Sequence, residues 1–157
     1  MTMNMTNTNR NDPYLSFNFL VVIDGLPMAG FKEVSGLNIN IESIPYSEGG
    51  GGATVHQLAG RPGYGTVTLC RGISVSKAST ELWNWVISAA EGEIVRRQVS
   101  IILRKTEPGT QETVWDFSNA WPKEWQGGAL DAMGDAVAIE ALTLVFENVT
   151  RESRNVQ

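Results

Sequence analysis

Alternation of apolar and polar positions dominates the chain. In "YLSFNFLVVID", Leu15, Phe17, Phe19, Val21 and Ile23 recur at period two and stop at Asp24-Gly25, a hairpin-type turn signal. "GLNINIESI" sets Leu37, Ile39 and Ile41 against Asn38, Asn40 and Glu42, and "GTVTLCRG" sets Val67 and Leu69 against Thr66, Thr68 and Cys70. "VRRQVSIILRK" alternates from Val95 to Leu103 and runs to a Pro108-Gly109 turn, after which "ETVWDFSNAW" reads as the returning strand. "AVAIEALTLVFENV" closes the pattern with β-branched residues. Six or seven strands at this spacing predict two packed antiparallel sheets, a sandwich or barrel.

One segment has the other period. "STELWNWVISAAEG", residues 79 to 92, carries Ser/Thr cap candidates, Glu81 in the first turn and Gly92 where a C′ glycine belongs. At about 100° per residue, Leu82, Trp83, Val86, Ile87 and Ala90 share its apolar face. Trp85 falls on the opposite side, either as a partly buried flank residue or as a contact for another chain. The strands carry few prolines and lysines to blunt their edges, so either a barrel closes within one chain or edges pair between identical subunits.

The glycine-rich stretch "SEGGGGATVHQLAGRPGYG" raises the possibility of a phosphate cradle, but its chemistry is wrong. No Lys follows the second glycine, and the segment leads into a strand instead of a helix. It reads as a loop: between a strand ending near Ile44 and one starting near Gly65 lies a connection of about twenty residues. The single His56 and single Cys70 lie in different segments and offer no oriented nucleophile and base, and they rule out a Cys/His zinc cluster within one chain. Glu42, Glu48, Asp116, Asp131, Asp135 and Glu140 show no spacing beyond that of a solvated surface. No catalytic residue, cofactor site or metal site is expected. Trp115 is expected in the core and Trp121 over the end of a strand stopped by Pro122.

Composition narrows the partners. A net charge of −5 argues against a passive nucleic-acid binder, which needs a basic stripe. The opening "MTMNMTNTNRND" has no apolar signal-peptide region, and no apolar run approaches the roughly 18 to 20 residues of a membrane span. Residues 1–11 are expected as an N-terminal arm, 12–149 as one β domain and 150–157 as a polar C-terminal tail.

Six spaced stretches, "DPYLSFNFLVVIDGLPMAGFKEVSGL", "RPGYGTVTLCRG", "ELWNWV", "RRQVSIILR", "NAWPKEW" and "AVAIEALTLVFE", together resemble the tail tube proteins of contractile phages and phage-tail-like injection systems. The resemblance covers Asp12 to Val149. It departs at "SKAST", Ser76 to Thr80, where the family often has an acidic pair, and in the N-terminal extension. It implies two sheets flanked by one helix, with strands of six subunits joining into a ring-shaped barrel and rings stacking into a conduit for DNA or protein payload. The implied partners are the chain itself, a contractile sheath protein, and baseplate and tube-cap proteins. Assembly is implied in the bacterial cytoplasm, before the particle is released. The alternative within the family is a baseplate-proximal tube initiator; a small ligand-binding β-barrel is the alternative outside it. On this reading Asn38, Asn40, Glu42, Thr66 and Thr68 are expected to line the lumen. Tyr46, Ser47, Glu48, Gly49, Gly50, Gly51, Gly52 and Val55 are expected to form a reaching loop between subunits.

Overall fold

A computed structural model describes residues 18–28, 30–50, 52–74, 76–105, 111–134 and 137–155. The chain order is β1 (Phe19–Ile23), β2 (Leu26–Met28), β3 (Phe31–Ser35), β4 (Ile39–Tyr46), β5 (His56–Tyr64), β6 (Val67–Gly72), α1 (Lys77–Ala90), β7 (Arg97–Arg104), β8 (Gln111–Gly127), β9 (Ile139–Val145) and β10 (Asn148–Asn155). All pairings are antiparallel. A first sheet runs β2-β1-β7-β8-β10 and a second runs β8-β9-β6-β3, with the long strand β8 common to both. Leu15, Phe17, Pro108, Gly109, Asp135 and the arm 1–11 lie outside the described residues.

The bend in β8 makes the two layers. At Asn119 the backbone turns to φ 55°, and β9 and β10 run end to end along β8, interrupted at Phe146 and Glu147 opposite that bend. The Asn119 side-chain amide donates to Glu147 Oε2 at 2.9 Å, holding the corner. Inward rows from both sheets meet in one cluster: Val21, Ile23, Val99, Ile101 and Phe117 from the first, Val67, Leu69, Leu142 and Leu144 from the second. Burying each such side chain stabilises the fold by about 1.5–3 kcal/mol. Trp115 packs against this cluster half-buried, under the Arg151 guanidinium.

Several expectations change. The helix starts two residues early, at Lys77, with Ser76 as N-cap accepting from the Ser79 N–H, so Glu81 sits in the second turn and pairs with Lys77. Its end is a Schellman motif, Gly92 N–H to the Ala89 carbonyl and Glu93 N–H to that of Ser88. The buried face is Leu82 and Trp85, not Trp83: Trp85 is 2% exposed and Trp83 44%. Trp85 is thus buried within the subunit instead of standing on an exposed side of the helix. Its Nε1 donates to the Val95 carbonyl at 2.7 Å and Arg97 covers its ring. Trp83 lies against Trp125 instead, edge to face at 4.9 Å.

The stretch after Val149, expected as a tail, is strand through Asn155. Thr113 and Ser153 hydroxyls meet at 3.3 Å, and the buried Glu112 carboxylate accepts from Arg104 and Arg154, one on each flanking strand. Pro122 does not end β8, which continues to Gly127 past a register shift beside it. Trp121 pairs with Val145 inside that strand.

Candidate assembly surface

The glycine-rich connection is not a loop of twenty residues but a long hairpin. β5, "HQLAGRPGY", pairs back along β4 from Ile39↔Tyr64 to Tyr46↔His56 with one register shift between Ile41 and Ser43, leaving 47–50 and 52–55 at the tip. This two-stranded arm forms a sheet of its own. Gly36 fixes its root: at φ 84°, a Cβ there would lie 2.4 Å from the Thr66 carbonyl oxygen. Gly65 N–H donates to the Asn38 carbonyl, and Tyr64 lies against Phe146 at 5.8 Å. At the tip, Gly50 and Gly52 take φ 95° and 80°, conformations that residues with a Cβ rarely adopt. Gly51 lies outside the described residues.

The arm is a poor element for a free subunit. A lone two-stranded hairpin is marginally stable in water, and this one exposes Ile39, Ile41, Ile44, Tyr46, Val55 and Leu58, with Ile39 and Ile41 each 59% exposed. Ile39 and Ile41 share one face of the arm and Ile44, Tyr46 and Leu58 the other, so both faces of the hairpin leave apolar side chains in water. Asn40 and Glu42 alternate with Ile39 and Ile41 on β4 and share the face of Ile44, and Asn38 sits at the root.

Thr66 and Thr68 lie elsewhere, just before and within β6. The outer face of the second sheet carries two rows across β3, β6, β9 and β8: Glu33, Cys70, Ala141, Gln126, and Ser35, Thr68, Thr143, Glu124. The residues expected together are thus split between the arm and this small, polar and acidic face. Sequence reading missed Glu33, Ser35, Ala141, Thr143, Glu124 and Gln126; the signal was the period-two alternation of β9 and β3. Among the described residues the second sheet also ends in two unpaired edges, β3 and the Trp121–Gly127 half of β8.

His56 lies in the arm and Cys70 in the second sheet, so the fold does not assemble them as a pair. Burial pushes the Cys70 thiol up, helped by the Glu33 carboxylate and opposed by Lys32. Less thiolate is therefore present at a given pH. Alkylation of Cys70 by iodoacetamide in the free subunit is expected to be slower at pH 8 than that of an unstructured cysteine peptide, with the half-rate point moved to higher pH. Equal rates would contradict this placement. Other polar groups have structural partners: Asp116 accepts from Ser100, Asp131 caps the Met133 N–H, and Glu140 accepts from Trp125 Nε1 at 3.0 Å. No group of three or more potential metal ligands occurs among the described residues. No helix among them is long and apolar enough to cross a membrane.

A family model described as T4-like virus tail tube protein gp19 matches residues 15–150. Among solved structures, the chain is similar to one from the sheath–tube complex of an extracellular contractile injection system, PVC, in its extended state. That match has 26% identity and a TM-score of 0.79 over 92% of this chain and 94% of that one. A chain of the anti-feeding prophage baseplate matches at 27% identity and TM-score 0.77, covering 91% and 97%. A chain of the anti-feeding prophage cap shares the fold at 24% identity and TM-score 0.81, covering 98% and 100%. No curated protein sequence matches the chain.

Proposed function

The chain belongs to the T4-like virus tail tube protein family; it is a structural tube subunit, and we propose that six copies close into a ring and that rings stack into a hollow conduit. The observation that carries this is the arm, a hairpin with exposed apolar side chains that joins neither of the other sheets among the described residues. Neighbouring copies supply that partner. The free β3 edge of one second sheet pairs with the free β8 edge of the next, which removes the edges that would otherwise invite aggregation. Its outer face, with Thr68 and Thr143 at the centre and Glu33 and Glu124 at the margins, then lines the lumen. Small hydroxyls and carboxylates offer passing cargo neither apolar adhesion nor a basic lattice. The function is mechanical, without catalysis or cofactor.

A contractile sheath encloses the tube, and baseplate and cap proteins terminate it. The similar solved chains come from assemblies of these kinds, a sheath–tube complex, a baseplate and a cap. The payload, DNA or protein, passes through the lumen of a particle assembled in the bacterial cytoplasm. The match to a baseplate chain favours one second reading, a baseplate-proximal ring that initiates the tube.

Size-exclusion chromatography and negative-stain microscopy of the concentrated protein are expected to show rings or tubes. A monomer under all conditions would overturn the reading. In the same material, amides at the arm tip, Tyr46–Gly50 and Gly52–Val55, are expected to exchange rapidly in the free subunit and to gain at least tenfold protection on assembly. Ordering the tip opposes assembly by roughly 1 kcal/mol or more per residue, offset by burial of the arm. Equal protection in both states would remove the arm from the interface.

A further inference from the structure

The turn between β8 and β9 displays two large apolar side chains to solvent, Leu130 at 82% and Met133 at 94% exposure. They are held out by a defined turn. Asp131 Oδ1 accepts the Met133 N–H at 2.9 Å, and the Asp131 carbonyl accepts that of Gly134. At the opposite end of β9 lies an open recess of about 260 Å³, walled by Leu37, Ile39, Trp115, Phe117, Phe146 and Val149 with Asn38 as its one polar residue. Cavities of roughly 150 Å³ lined by apolar side chains take up benzene, so this recess has room for a leucine or methionine side chain.

We propose that the Leu130–Met133 knob of one copy seats in this recess of another copy, and that this is the contact between successive rings. The inference rests on the tube reading. The knob cannot fill its own recess: the seven residues of β9 separate them, about 20 Å at ~3.3 Å per residue. A knob and a recess on different surfaces make a heterologous, head-to-tail contact, the kind that propagates without limit. Direction selects the partner. Copies related along the hydrogen-bonding direction join sheet edges and complete a ring, so the ends of the strands face the rings above and below. β9 connects knob and recess along that second direction.

The test compares the parent protein with Leu130→Asp/Met133→Asp. Both side chains are solvent-exposed, so unchanged circular dichroism is expected. The variant is expected to keep rings while losing at least tenfold in tube mass by sedimentation and microscopy. A second variant, Met133→Cys/Leu37→Cys in a Cys70→Ser background, is expected to give a disulfide ladder of covalent oligomers in oxidised tubes and none in isolated rings. Parent-like tubes from the aspartate variant, or oxidised tubes without a ladder, overturn the knob-and-recess contact while leaving the tube reading intact. A parent that forms neither rings nor tubes overturns both.

Discussion

Replacing Arg71 by alanine is expected to lower the stability of the folded subunit by about 3–5 kcal/mol. Arg71 follows Val67 and Leu69 along the inward row of β6 and is only 3% exposed. Its Nε lies 3.7 Å from Glu140 Oε1, and its Nη2 donates to Ser74 and to Ser76, the N-cap of α1. The guanidinium also covers the Phe31 ring at 5.4 Å. One side chain therefore ties β3, β9 and the start of the helix to β6. Removing it strands the Glu140 carboxylate in a largely buried site, and that uncompensated charge, not the lost attraction, dominates the cost. The double change Arg71→Met/Glu140→Gln is expected to recover much of the loss, because it removes both charges. Urea unfolding followed by tryptophan fluorescence measures both, and a loss below about 1 kcal/mol for Arg71→Ala would mean that the pair is effectively solvated.

Phe117→Ala is the second large effect, about 3–5 kcal/mol. Phe117 is buried two residues before the β8 bend, and its ring meets that of Phe146 edge to face at 4.7 Å. It is 1% exposed and among the largest fully buried side chains of the described residues. Both sheets close over it, so the surroundings have little freedom to collapse into the void. A midpoint shift at unchanged denaturant slope is the expected signature of a cavity in an otherwise intact fold. A changed slope would instead indicate that the two layers part at the corner.

The strands legible in the sequence are those with one buried and one wet face. β1, β6 and β7 alternate because their inward residues meet a core, and Asp24-Gly25 turns β1 into β2 with φ 50° and 77°. β5 was illegible for the complementary reason. "HQLAGRPGY" buries almost nothing within the subunit, so no apolar period marks it, and its glycines and proline read as loop. β10 is polar on both faces and is held by Glu112, Thr113 and the β8 backbone, partners that lie about forty residues away in sequence. Pro122 was read as a stop because proline cannot donate to a ladder. It is tolerated beside an open edge and a register shift, where a donor is not needed on that side.

The helix shows the same division. "LWNWVISAA" sets Trp85 opposite the face of Leu82, Trp83 and Val86, so the sequence period admits more than one buried stripe. The Val95 carbonyl and the Arg97 guanidinium, beside the start of β7, select Trp85 over Trp83. For the candidate site, the sequence marked the arm tip and Thr68 but grouped Asn38, Asn40 and Glu42 with them on one face. Local alternation does not say which sheet a strand joins.

By itself the sequence therefore determined the class of fold, the core rows of the alternating strands, the helix with its terminal Gly92 and the family. Those follow from short-range periodicity and from spaced motifs. Tertiary structure alone decided that the glycine-rich stretch is a hairpin arm, that β8 folds one sheet over another at Asn119, and which polar residues share the outer face of the second sheet. Each depends on pairing between segments distant in the chain. The arm adds a further reason: β5 buries almost nothing within the subunit, so its residues carry no apolar period.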